Sequence, residues 1–147
     1  MRKYKSTRLA AAVGGVLMLA GCISNPPYAV TKEDKTASVK LFNMSDAVMC
    51  KGDKVFSITA PEGASHAVIP AGERISLTTH MQYSGYNVTY SCHPALSFVP
   101  QEGEKYVLHD YLRGGKCVIE LVREDSSTPT GVAFEESLGP RNCAKPG

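Results

Sequence analysis

The chain has 147 residues, 43% of them hydrophobic and 20% charged, with 13 Gly, 9 Pro and 5 Cys. That length supports one core rather than two, and the mixed composition excludes collagenous and low-complexity classes. The formal charge of +2 looks basic, but its excess sits at the very start of the chain.

Residues 1–8, MRKYKSTR, hold two Arg and two Lys and no acid, and residues 9–20, LAAAVGGVLMLA, carry no charge. Twelve residues make a helix of about 18 Å, well short of a bilayer core. A basic stretch followed by a short apolar one is the pattern of a secretory signal. It ends in Leu19-Ala20-Gly21-Cys22, which resembles the lipobox of bacterial lipoproteins. The resemblance implies cleavage before Cys22, acylation of that cysteine, and a lipid-anchored domain. Ile23, rather than Asp, follows the cysteine, which in that family implies sorting to the outer membrane, with the domain facing the periplasm. Without residues 1–21, 12 Lys and Arg face 14 Asp and Glu. The mature chain is therefore mildly acidic, and nucleic acid drops out as a partner.

Residues 22–36 carry Pro26-Pro27 and mixed charge without an apolar period, the composition of a flexible tether. From 37 to 147 the signals are those of strands. ASVKLFN alternates, KVFSIT follows a Lys-Gly-Asp turn, and Pro70-Ala71-Gly72-Glu73 turns the chain into ERISLTTHM. Tyr83-Ser84-Gly85 is the expected turn of a hairpin leading into YNVTYSC, residues 86–92. ALSFVP, KYVLHDYL, KCVIELVRE and GVAFEES follow, with Arg113-Gly114-Gly115 between the longest two. No stretch of the mature chain has helical spacing for three turns. The expected fold is an all-β, antiparallel β-sandwich of about seven or eight strands, immunoglobulin-like or transthyretin-like in topology.

With Cys22 assigned to lipid, Cys50, Cys92, Cys117 and Cys143 remain. An even number in an exported domain reads as a disulfide framework with three possible connectivities. Strand parity favours one. Tyr86, Val88, Tyr90 and Cys92 share a face, as do Cys117, Ile119 and Leu121, and both read as core faces. Cys92–Cys117 is then the natural bridge, and Cys50–Cys143 follows by elimination.

Catalytic and metal patterns are absent from the spacing. There is no C-x-x-C, H-E-x-x-H, G-x-S-x-G or phosphate loop. A hairpin closing near Ser84 would separate His80 from His93, and His109 and Asp110 point to opposite faces of a strand. Glu124-Asp125 and Glu135-Glu136 read as solvated surface. No cofactor, metal or catalytic residue is therefore expected. The contact candidates are Tyr83, Ser84 and Tyr86 at one hairpin tip and Arg113 at another, since tyrosines and guanidinium groups favour binding surfaces. A cross-strand aromatic pair that merely holds the hairpin is the competing reading. A tethered, disulfide-linked sandwich resembles small envelope lipoproteins of Gram-negative bacteria. These include assembly subunits of secretion machines, lysozyme inhibitors and immunity proteins. The expected function is non-enzymatic binding of another envelope protein, with inhibitor or immunity protein, or accessory subunit of an envelope or secretion assembly, as alternatives.

Overall fold

A computed structural model describes residues 24–143; the expected signal segment and Cys22 lie outside the described residues. Eleven strands follow in order: β1 (Thr36–Phe42), β2 (Asp46–Lys51), β3 (Lys54–Thr59), β4 (Ala67–Pro70), β5 (Ile75–Thr78), β6 (Met81–Gly85), β7 (Val88–Cys92), β8 (Ala95–Phe98), β9 (Lys105–Arg113), β10 (Lys116–Glu124) and β11 (Val132–Phe134). One sheet has the order β11-β10-β9-β1-β4, the other β3-β2-β5-β8, and β6 and β7 form a separate two-stranded sheet. The expected sandwich is present, with more strands than expected and one parallel pair, β1 with β9.

The pleat explains the core. Ala37 and Val39 of β1, Tyr106 and Leu108 of β9, and Leu121 of β10 alternate inward from the first sheet. Met49 of β2, Ile58 of β3, Ile75 and Leu77 of β5, and Leu96 and Phe98 of β8 meet them from the second. β2 was not foreseen as a strand. Its Ala-Val-Met-Cys run lacks clear alternation because both faces are covered at Cys50: Ala47 and Met49 face the core, and Cys50, on the other face, is buried where it is bonded to Cys143.

Tyr106 shows how a polar atom is accommodated in this core. The residue is fully buried, its ring meets Phe98 edge-on at 5.0 Å, and its hydroxyl accepts the Gln101 N–H at 3.0 Å. Burial, above all, raises its pKa over the ordinary 10.0. An unfolded tyrosine ionises near pH 10 while the folded one stays neutral. Its contribution to stability is thus complete below about pH 10 and is lost as pH rises through the raised value. Denaturant titrations between about pH 9 and 11 should show a shallower loss of stability for Tyr106→Phe than for the parent. Equal slopes would exclude Tyr106 as a source of alkaline sensitivity.

Both expected disulfides are present. Cys50–Cys143 has a Cα–Cα distance of 6.0 Å and Cys92–Cys117 one of 6.5 Å. The first secures a C-terminal strap. Gly139 and Ser97 exchange backbone hydrogen bonds at 2.8 Å, and the Asn142 N–H donates to Ser76 Oγ at 2.8 Å. Arg74 Nη1 donates to Ser97 Oγ and to the Ser137 carbonyl. Glu135 is buried rather than solvated, because its carboxylate accepts both the N–H and the hydroxyl of Ser137 within this strap.

Part of the expected tether is docked. Pro27 forms a parallel bridge with Ser57 of β3, fixed by Ser57 N–H to the Pro26 carbonyl and Tyr28 N–H to the Ser57 carbonyl. Tyr28 packs edge-on against Phe56 at 5.5 Å. Because the bridge is parallel, the chain before Pro27 runs toward Lys54 and the β2–β3 turn.

Candidate functional site: a projecting apolar hairpin arm

The segment from Ile75 to Phe98 is one long hairpin in a single register. Ile75 faces Phe98, Thr78 faces Ala95, Met81 faces Cys92 and Gly85 faces Val88. The Thr79 N–H donates to the Pro94 carbonyl, which carries the ladder across the break between the sheet and the arm. The turn is therefore Tyr86-Asn87, not the expected Tyr83-Ser84-Gly85. Asn87 takes φ of 59°, a left-handed conformation that Asn tolerates better than most residues. Ser84 and Gly85 are ladder residues.

This register settles which side chains share a face. Ile75, Leu77, Thr79, Met81 and Tyr83 lie on one side with Phe98, Leu96, Pro94, Cys92, Tyr90 and Val88 opposite them. Except at Thr79, this inner stripe is apolar or aromatic from the sandwich core almost to the tip. The other side carries Ser76, Thr78, His80, Gln82 and Ser84, faced by Ser97, Ala95, His93, Ser91 and Thr89. The lower half of the stripe is core: Leu77 and Phe98 have no exposure. Among the described residues no sheet lies over the upper half, where Val88 is 47% and Tyr90 48% exposed, and Tyr86 in the turn is 95% exposed. The face carrying Tyr86 to Cys92 is thus apolar as expected, but it is not a core face.

Cys92 and Cys117 join the base of the arm to the β9–β10 hairpin. Leu112, paired with Cys117 in the ladder, is 40% exposed beside that bridge. Since Cys92 lies on the arm's apolar side, that side looks toward the β9–β10 end. The disulfide thus sets the angle between two surfaces, the arm stripe and the Leu112 strand end.

The four contact candidates separate in this geometry. Tyr86 stands at the tip. Tyr83 stacks on Tyr90 at 4.9 Å with 15° between planes, so it holds the hairpin together while keeping one edge accessible. Ser84 lies on the opposite, polar side. Arg113 is exposed at the end of β9, near the arm's base rather than its tip. Val88, Tyr90 and Leu112 were not singled out. Placing the turn at Asn87 would have revealed the first two, because it brings Tyr83 opposite Tyr90 and Gly85 opposite Val88.

The remaining polar constellations are tied to the body. Ser65 Oγ and His66 Nδ1 lie 2.7 Å apart, and His66 Nε2 lies 2.9 Å from Glu124 Oε1. The His66–Glu124 link of this Ser–His–carboxylate chain joins residues 58 positions apart and is invisible to local spacing. The cavity beside Glu124, about 550 Å³ and bordered by Gly103, Lys105, Asp125 and Val132, is lined by neither Ser65 nor His66. The chain therefore has the connectivity of an activated hydroxyl but stands apart from that cavity. His109 packs edge-on against Phe42 at 5.0 Å. His80 and His93, expected apart, stack at 4.7 Å because the turn lies farther along the chain. A second apolar spot occurs at the sheet edge, where Phe134 is 73% exposed beside a cavity of about 380 Å³ lined by Leu96, Ile119 and Leu138.

No family model matches the chain, and no curated protein or solved structure is significantly similar to it. The site is defined by its own geometry: a disulfide-braced β-sandwich that extends a strip of its core facing into the open.

Proposed function

We propose that this protein is a non-enzymatic, lipid-anchored envelope protein that binds another protein through the β6–β7 arm. The carrying observation is the open outer end of the arm: Val88 and Tyr90 of the inner stripe are 47% and 48% exposed, and Tyr86 in the turn is 95% exposed. Contiguous exposed apolar side chains on a rigid, braced element favour a partner that supplies the missing cover. The lipid anchor rests on residues 1–22, the basic and apolar run ending in Leu19-Ala20-Gly21-Cys22. On this reading the domain sits on the outer membrane facing the periplasm. An inhibitor or immunity protein is the favoured form, because a single projecting arm can enter a concave site on a hydrolase or toxin. An accessory subunit of an envelope assembly is the alternative.

The test is photo-crosslinking in intact cells from the full-length chain. A crosslinker at Tyr90 should give one discrete protein adduct, while one at Lys54, on the far turn, should give none. With that partner purified, Tyr86→Ala and Tyr90→Ala should each weaken affinity at least tenfold, as expected of aromatic anchors. Arg113→Ala, at the rim, should cost less than tenfold. Absence of an arm adduct, or affinities unchanged by both tyrosine variants, would refute the arm as the binding element. The identity of the adduct separates the two forms: a hydrolase or toxin supports the inhibitor, a structural envelope component the subunit.

A further inference from the structure

We propose that His80 and His93 form a two-imidazole site for a divalent transition-metal ion of the Zn²⁺, Ni²⁺ or Cu²⁺ type, placed at the neck of the arm. Thr79 and Pro94 share a backbone hydrogen bond, and the same ladder places His80 opposite His93 at the next position. In an antiparallel pair that alternation makes the histidines a non-hydrogen-bonded pair, the kind whose side chains lie closest. Their rings are 4.7 Å apart and 13° from parallel. Both residues are exposed, so an ion can reach them without opening the fold.

Availability distinguishes this pair from the other histidines. His66 is engaged on both ring nitrogens, by Ser65 and Glu124, and the His109 ring packs against Phe42 and Tyr111. Neither His80 nor His93 has a hydrogen-bonded side-chain partner among the described residues, which leaves lone pairs free for coordination. A tetrahedral ion at 2.0–2.1 Å from each nitrogen needs the two nitrogens about 3.3 Å apart. Rings already stacked at 4.7 Å reach that by tilting toward one another, a side-chain motion that leaves the ladder intact. Asp46 and Asp110 share a cavity lining with His80, which makes the surroundings of that ring acidic. Among the described residues no three His, Cys, Asp or Glu are grouped for a metal. The protein thus supplies two ligands and water completes the sphere, a modest and exchangeable site. Imidazole pairs suit Cu²⁺, Ni²⁺ and Zn²⁺ and bind Mg²⁺ or Ca²⁺ poorly.

Such an ion would join the two strands at the place where the sheet ladder is interrupted. It would stiffen the arm relative to the sandwich, acting on the polar side as Cys92–Cys117 acts on the apolar side. This inference stands independently of the protein-binding reading.

The test is calorimetric titration of the full-length protein with Zn²⁺, Ni²⁺ and Cu²⁺, alongside hydrogen exchange of the arm amides. One equivalent should bind, tightest for Cu²⁺ by the usual order of divalent affinities. His80→Ala and His93→Ala should each weaken binding at least tenfold, while His109→Ala leaves it unchanged. Metal should also slow exchange in residues 81–92 severalfold in the parent and not in His93→Ala. Because both side chains are exposed, the variants should keep the parental melting temperature without metal, which separates lost ligation from lost fold. Absence of binding, equal affinity in the parent and His93→Ala, or equal weakening by His109→Ala would overturn the site.

Discussion

Replacing Cys50 and Cys143 together with serine is expected to lower stability by about 4–5 kcal/mol, more than loss of the other disulfide. The bridge closes 93 residues of sequence separation, against 25 for Cys92–Cys117, and chain-entropy estimates give about 4.7 and 3.5 kcal/mol respectively. Its structural role points the same way. The strap it secures crosses the β8 edge through the Ser97–Gly139 pair and holds Arg74 and the buried Glu135 in place. Releasing the strap exposes the β8 edge as well as removing the cross-link. Loss of Cys92–Cys117 should look different. Much of its effect should be confined to the arm, with exchange of residues 81–92 accelerated before the global transition. Urea melts with hydrogen exchange of both double variants distinguish the cases. Equal global losses, or faster arm exchange in the Cys50/Cys143 variant alone, would contradict this division.

Phe98→Ala should cost about 3–5 kcal/mol, within the usual range for a large buried aromatic. Phe98 has no exposure, faces Ile75 across the ladder, and receives the edge of Tyr106 at 5.0 Å. Tyr106 stands on β9 of the opposite sheet, so this contact pins one sheet on the other at the foot of the long hairpin. The cavity left by alanine would free the Tyr106 ring and loosen its hydroxyl from Gln101. A second consequence follows from the single register. Loosening at Phe98 is transmitted to the same two strands that form the arm, so arm exchange should accelerate as well as global unfolding. A loss under about 1 kcal/mol would show that the foot of the hairpin collapses around the missing ring.

Much of the scaffold was legible because it depends on period-two patterning and on cysteine parity. Cys92 and Cys117 could be paired because each sits at a determinable phase of its strand. Their geometry is as expected even though one of the two faces is not buried. That exception is instructive. Val88 and Tyr90 alternate as core residues do, and alternation records which side of a strand is apolar, not whether anything covers that side. Coverage depends on where a second sheet ends, a property of the whole fold. The misplaced turn has a local cause. Ser84-Gly85 has turn chemistry, whereas the actual turn rests on Asn87 accepting φ of 59°, which many sequence contexts would not require. Two residues of displacement changed which histidines meet, and with them the reading of the polar side. β2 escaped notice for the opposite reason: with Cys50 buried on the outer face as well as Ala47 and Met49 on the inner one, it lacked the alternation used to detect strands. The Ser65–His66–Glu124 chain joins residues distant in sequence, which no spacing pattern encodes.

The bridge between Pro27 and Ser57 turns the molecule into a gauge of distance. On the lipid-anchored reading, cleavage before Cys22 would leave only Cys22 to Asn25 ahead of the docked segment, at most about 14 Å of extended chain. The described residues before Pro27 lead toward the β2–β3 turn, whereas the arm departs from the Thr78 and Ala95 ends of β5 and β8, at the other end of β2. The strand from Ile75 to Gly85 spans about 36 Å when extended. On the lipid-anchored reading, a short leash at one end and a stiff mast at the other set a standing height for Tyr86. Reach is then written in the number of ladder pairs between core and tip, and the partner's docking surface must rise to meet it.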